Sequence, residues 1–271
     1  MNIKIIIISA NEPRHKYLRR KIGLIKGAKV RLCLAEKNSS RAYYKVLKSK
    51  VRNVSEKKHF MDRKKNELKY FGKFLRQSDE IKNLKLIDKG EANFNQRIIQ
   101  QVNYIKPDVI ISFGCSIIKG PILRKFKNKF INIHLGLTPY YKGSATNFWP
   151  LVNNEPQFLG VSFLKIDEGV DTGPIIHQIR ADLDRKDSVH DIGNKLIIKM
   201  ANSLEKLILN HKKITWKNQK KIKKIRIYKN KDYNLLALRK LKSNLKKGLI
   251  LKYLKRKSQI DKKYSLIEFK A

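Results

Sequence analysis

Residues 3 to 9 read Ile-Lys-Ile-Ile-Ile-Ile-Ser, a run that few architectures can accommodate. Consecutive β-branched residues are stiff at χ1 and favour extended backbone. A strand that is apolar at successive rather than alternate positions must be covered on both faces, as in a parallel sheet flanked by helices. The next element should therefore be a helix. Glu12-Pro13 supplies an acidic residue and a proline at its start, and Tyr17, Leu18, Ile22 and Leu24 give it an apolar face. Lys29 to Ala35 alternates and reads as a second strand.

The same alternation returns downstream. Asn93 to Tyr104 is amphipathic, with Ile98, Ile99, Val102 and Ile105 near one face, and is followed by Pro107 and a strand from Asp108 to Phe113. Ile117 to Phe126 reads as a helix and Phe130 to His134 as a strand. Gly160 to Ile166 and Pro174 to Ile179 read as two further strands, and Val189 to Leu209 as a long closing helix. The sum is a Rossmann-like α/β domain with a mostly parallel central sheet over residues 1–212. Residues 36 to 78 are polar and basic, and helical or loop insertions are expected there. Residues 213–271 are expected to be a small basic C-terminal extension, packed on the domain or trailing it. Ile222, Ile225, Ile227 and Tyr228 suggest a strand, and Leu235 to Leu251 one or two short helices.

Charge separates these regions further. The chain carries 63 Lys plus Arg against 22 Asp plus Glu, a net of +41. Such an excess suits nucleic acid, an acidic membrane leaflet or a phosphorylated substrate. It is not uniform: residues 131–181 hold three basic and four acidic side chains, whereas 211–271 hold 22 basic and three acidic ones. Only Cys33 and Cys115 occur, without Cys-x-x-Cys spacing, which argues against a disulfide framework or a structural zinc site. The first apolar run is too short to span a membrane and lacks a signal-type cleavage site. A soluble, cytoplasmic protein is the expectation.

The nearly neutral block holds the chemistry. Asn132 and His134 stand two apart in a strand, so both side chains leave the same face. An amide N–H and an imidazolium N–H are suitable donors for an oxygen that becomes negative during acyl transfer. Asp171 lies between Gly169 and Gly173 in a turn-rich stretch. A carboxylate brought to His134 would favour the charged ring or accept a proton during reaction. Taken singly, a polar residue at a strand end is commonly structural and an Asp between glycines a turn former.

Two stretches give these residues a common setting: Asn132-Ile-His134 followed by Leu137-Thr-Pro-Tyr-Tyr-Lys-Gly143, and Asp167-Glu-Gly-Val-Asp-Thr-Gly173. From Asp108 to about Leu209 the chain resembles the folate-dependent formyltransferases, which act on glycinamide ribonucleotide, methionyl-tRNA or sugar nucleotides. That resemblance implies a formyltransferase fold, 10-formyltetrahydrofolate as co-substrate, no metal, and Asn132, His134 and Asp171 as the catalytic set. It further implies that the pterin lies against Phe113, Gly114, Cys115, Ser116 and Ile117 and against the loop Lys165, Ile166, Asp167, Glu168, Gly169 and Val170. The acceptor amine would meet Tyr140, Tyr141, Lys142, Gly143 and Ser144.

The acceptor is the open question at this level. The glycine-rich phosphate turn that glycinamide ribonucleotide enzymes resemble after the first strand is missing, and Ser-Ala-Asn-Glu-Pro-Arg-His-Lys stands there instead. Arg14 and His15 suit a nucleotide diphosphate, so a small amino-sugar or nucleotide-linked amine is favoured. Methionyl-tRNA, which the basic extension would suit as an acidic nucleic acid, and glycinamide ribonucleotide remain alternatives. A folate deformylase and a basic nucleic-acid-binding protein on an inactive transferase fold are further alternatives.

Overall fold

A computed structural model describes residues 2–37 and 54–270. The opening run becomes β1 (Ile3–Ser9), with Ile5 to Ile8 fully buried. Strand alternation divides them between two cores. Ile5 and Ile7 join one cluster while Ile6 and Ile8 join the other, so the sheet is covered on both faces.

Helix α1 (Pro13–Gly23) begins at Glu12, whose side chain accepts the His15 backbone N–H while the His15 ring accepts that of Glu12. β2 (Ala28–Glu36) follows, parallel to β1. Much of the basic stretch expected as insertions is one long helix, α2 (Val54–Gln77), packed on α1. Residues 38–53 of that stretch lie outside the described residues. A short edge strand, β3 (Leu84–Ile87), has little signature in the sequence because only Ile87 of its four residues is buried. Periodicity places the next helix at Asn93; α3 (Gln96–Ile105) starts later because Asn95 caps it, accepting the Ile98 N–H.

β4 (Val109–Phe113) is buried throughout. After it, α4 (Gly120–Phe126) opens at Gly120 rather than at Ile117 and holds Pro121 in its first turn, where a proline without an N–H fits. β5 (Phe130–His134), β6 (Tyr141–Gly143), α5 (Trp149–Val152), β7 (Gly160–Leu164), β8 (Ile175–Arg180) and α6 (Val189–Leu209) complete the region up to 212.

The main sheet runs β3-β2-β1-β4-β5-β7-β8. β1 to β5 pair in parallel and β7 and β8 antiparallel, so it is mostly parallel, as expected. Strand succession reverses between β1 and β4, and in such sheets the crevice at the carboxyl ends of those strands receives ligands. Ser9 pairs with Phe113 there.

Beyond residue 212 come β9 (Arg226–Tyr228), α7 (Leu235–Lys246), α8 (Leu249–Lys255) and α9 (Lys257–Lys263). β9 is shorter than the isoleucine pattern suggests, and Ile222 and Ile225 lie outside it. It pairs in parallel with β6. Leu238 and Leu241 of α7, Ile250 of α8 and Phe269 enter the same core cluster as Ile5 and Ile7. The Asn244 amide donates to the carbonyls of Leu151 and Val152 at the end of α5. The extension thus shares the core of the region before it. Leu238→Ala should therefore cost about 2–5 kcal/mol and shift one cooperative unfolding transition followed by tryptophan fluorescence and circular dichroism. A separate early transition of the extension would contradict this packing.

Candidate active site

The crevice at the β1–β4 junction opens into a cleft of about 1500 Å³. On its wall β5 presents Asn132 and His134, and the loop between β7 and β8 presents Asp171. The strand period puts Asn132 and His134 on one face, and the loop brings Asp171 to them. His134 Nδ1 stands 3.2 Å from Asp171 Oδ2 and Asn132 Nδ2 stands 3.5 Å from Asp171 Oδ1. The Gly143 N–H donates to Asp171 Oδ2 at 2.9 Å. His134 Nε2 lies 3.0 Å from the carbonyl oxygen of Tyr141. Both ring nitrogens therefore face oxygens that can only accept; a neutral imidazole satisfies one at a time, an imidazolium both.

Two side chains that the sequence pattern does not single out fix this geometry. Ser112, fully buried on β4, donates its hydroxyl to Asn132 Oδ1 at 2.9 Å. The Asp171 carboxylate, which only accepts, fixes the facing end of the amide as Nδ2, and the Ser112 hydroxyl then holds the oxygen. Within Val-Ile-Ile-Ser-Phe its only signal is a lone polar residue in a buried strand. Glu36, buried at the end of β2, accepts the backbone N–H of Gly90 at 2.9 Å and of Ser116 at 3.0 Å, tying two loops of the cleft together.

Of the expected pterin contacts, Phe113 to Ile117, Lys165 to Asp167, Gly169 and Val170 line the cleft, and Glu168 does not. Ile117 and Val170 leave apolar surface exposed there, 66% and 41% respectively. Burial, with the Glu36 carboxylate nearby, pushes the Cys115 thiol up to about 12, which leaves it un-ionised.

The expected acceptor contacts divide. Gly143, Ser144, Arg14 and His15 line the cleft, whereas Tyr140, Tyr141 and Lys142 are absent from its lining. Tyr140 stacks on Phe158, with ring centroids 4.1 Å apart, and the Tyr141 hydroxyl bonds Glu155 and Asn153. Lys142 is buried, which lowers its pKa although Asp171 and Asp167 act in the opposite sense. β6, which carries Tyr141 and Lys142, pairs with β9, and Gly143 at φ +86° permits that approach: a Cβ there would lie 2.2 Å from Tyr228 O. His15 is 1% exposed beneath Gly114, and burial holds it down to about 4, so it fills space as a neutral ring and does not supply charge to an anion.

A second wall has no forerunner in the sequence motifs. His59, Phe60 and Arg63 of α2 line the cleft with His190 of α6 and with Lys229, Lys231 and Tyr233 of the extension. His59 and His190 rings lie 4.5 Å apart. Arg14 donates to Glu67 at 2.7 Å and Arg63 donates to the same oxygen at 3.2 Å. The Arg14 guanidinium beside it, followed by burial, lowers the Arg63 pKa despite the shared carboxylate, marking a local excess of positive charge. Among the described residues no group of His, Cys, Asp or Glu is placed to hold a metal ion, and no helix is long and apolar enough to cross a membrane.

Burial holds His59 down to about 3, and His15 and His190 to about 4. The unfolded chain binds these protons below its ordinary value near 6.5 while the folded chain does not, so stability falls as pH drops from about 6.5 toward 4. The His59→Phe protein should lose less of its thermal midpoint between pH 7 and 5 than the unaltered chain. Equal losses would contradict the burial of a neutral His59.

Comparison with known proteins relates the chain to one family. The formyl transferase family model matches residues 31–208. The chain is 27% identical over 154 residues to the methionyl-tRNA formyltransferase of Finegoldia magna, covering 56% of this chain and 49% of that one. It is 34% identical over 104 residues to the GDP-perosamine N-formyltransferase of Brucella melitensis, covering 38% and 40%. It spans less than half the length of these curated relatives. The N-formyltransferase of Helicobacter canadensis, solved with folinic acid and dTDP-3-aminofucose, shares the fold with a TM-score of 0.51 at 22% identity, over 86% of this chain and 72% of that one. With about two thirds of its length inside the family model and the Asn132, His134 and Asp171 side chains gathered at one cleft, the chain belongs to the formyl transferase family.

Proposed function

We propose that the protein transfers a formyl group from 10-formyltetrahydrofolate to the amine of a nucleotide-linked amino sugar. The contact of His134 and Asn132 with one carboxylate, Asp171, at the wall of a large cleft carries this reading. A cleft of about 1500 Å³ exceeds the usual range for one small ligand, roughly 300–1000 Å³, and has room for donor and acceptor together.

The folate fits the arm formed by Phe113 to Ile117 and the 165–170 loop. Exposed Ile117 and Val170 suit the faces of a flat ring, and backbone N–H and C=O groups of the two loops suit its polar edge. The acceptor fits the other wall. Aromatic and imidazole rings from Phe60, His59 and Tyr233 suit a base, and Arg14, Arg63, Lys229 and Lys231 suit phosphates. The two ligands of the Helicobacter canadensis structure, a folate and an aminosugar nucleotide, are of these two kinds.

Reaction begins with attack of the unprotonated amine on the formyl carbon. The carbonyl oxygen of the tetrahedral adduct becomes negative. With Asn132 Oδ1 held by Ser112 and one N–H directed to Asp171, the second N–H of Asn132 is the donor for that oxyanion. His134 adds a second donor when its Nε2–H exchanges the Tyr141 carbonyl for the oxyanion. Asp171 accepts the proton lost by the amine, directly or through water, while its contacts with His134 and Gly143 hold the carboxylate in place. Collapse of the adduct returns the electrons to the carbonyl and breaks the bond to the folate nitrogen, which takes up the proton held by Asp171, directly or through water, and leaves as tetrahydrofolate.

Incubation with 10-formyltetrahydrofolate and a panel of amino-sugar nucleotides, glycinamide ribonucleotide and methionyl-tRNA, read as a formyl mass gain on the acceptor, tests the reading. Formylation of an amino-sugar nucleotide is expected. Formylation of methionyl-tRNA instead would overturn the acceptor class and leave the reaction standing. Asn132→Ala should lower kcat by about 10²–10³-fold, the usual cost of losing an oxyanion donor. Near-full activity of purified His134→Ala would remove His134 from the mechanism.

A further inference from the structure

Asp171 has φ +52°, a left-handed conformation uncommon for a residue with a side chain. Its carboxylate contacts lie on one side; its backbone is held from the other, by the extension. Gln219 Nε2 donates to the carbonyl of Asp171 at 2.8 Å and to that of Gly173 at 2.8 Å. Both amide protons are thus spent on two carbonyls flanking the turn. The opposite amide orientation would set an oxygen against two oxygens, so the assignment is fixed.

The segment that delivers Gln219 is itself anchored. Ile175 and Lys217 exchange backbone hydrogen bonds of 2.7 and 2.8 Å, which fastens the chain to the start of β8 two residues before Gln219. Trp216 lies beneath the Lys165 ammonium, 5.7 Å from ring centroid to Nζ, at the opposite end of the Asp171 loop. Farther on, β9 lies beside β6, and the Ser144 N–H donates to Tyr228 O at 2.8 Å. β6 supplies the other two backbone contacts of the site, Tyr141 O to His134 and Gly143 N–H to Asp171. Residues 217–228 therefore brace both backbone stretches that meet the His134–Asp171 pair.

We infer that Gln219 is a positioning residue for formyl transfer, one that fixes Asp171 through its backbone and makes the basic extension a component of the active site. The inference rests on the reading of Asp171 as proton acceptor. Gln219 is absent from the cleft lining, and both of its amide protons go to the turn.

Gln219→Leu removes both donors at similar volume. A misplaced proton acceptor should lower kcat at least about tenfold with both KM values within about twofold. The His134 ring resonances should move in the same protein, a readout independent of turnover. Tyr253→Phe, which removes a 2.7 Å hydrogen bond to Asp261 elsewhere in the extension, should change neither. A Gln219→Leu protein with kcat within about twofold of the unaltered chain and unmoved His134 resonances would overturn the inference. Should Gln219→Leu fail to fold, Gln219→Glu, which keeps length but faces carboxylate oxygens to two carbonyls, decides by the same readouts. If the unaltered chain transfers no formyl group, the proposed reaction falls while the His134 resonances still decide the clamp.

Discussion

The carboxylate of Asp171 is the point on which the site depends. It touches His134, approaches Asn132 and receives the Gly143 N–H, so one side chain joins β5, β6 and the loop before β8. Each contact constrains the others. Asn132 must turn its Nδ2 to that carboxylate, and the buried Ser112 hydroxyl donates to the Oδ1 left on the other side. His134 must place Nδ1 there, and the Tyr141 carbonyl holds the far side of its ring. The left-handed backbone of Asp171 costs roughly 1–2 kcal/mol, and hydrogen bonds worth about 1 kcal/mol each from Gly143 and Gln219 offset it.

From this follows the arrangement of the molecule around the cleft. The sheet order sets a crevice between β1 and β4, and the antiparallel pair β7–β8 carries the Asp171 loop to its edge. The extension braces that loop from behind with Gln219, pairs with β6 through β9 and supplies Lys229, Lys231 and Tyr233 to the far wall. A segment that by composition is mainly a reservoir of positive charge is, in place, part of one core and one cleft.

Much of this is legible in the residue pattern, for physical reasons. The isoleucines of β1 announce burial on two sides, and the two-residue strand period is enough to bring Asn132 and His134 to one face. What escapes the pattern depends on pairings between distant segments. Tyr140, Tyr141 and Lys142 stand in a conspicuous motif, yet Tyr140 packs on Phe158, the Tyr141 hydroxyl bonds Glu155 and Lys142 is buried. Arg14 suits an anion by type and lies on the cleft with Glu67 and Arg63; neighbouring His15 suits one too, until burial removes its charge. Ser112 is hidden in an apolar strand, and Gln219 in a lysine-rich stretch without periodicity; only their partners reveal them.

Asp171→Asn tests the central place of this carboxylate most directly, because asparagine also tolerates the left-handed backbone and keeps the shape of the side chain. Tetrahydrofolate affinity, measured by calorimetry, and single-turnover formyl transfer, measured on the same preparation, should separate. Affinity should stay within a few-fold of the unaltered chain while the single-turnover rate falls by about 10²-fold or more. A single-turnover rate close to that of the unaltered protein would contradict the role given to Asp171.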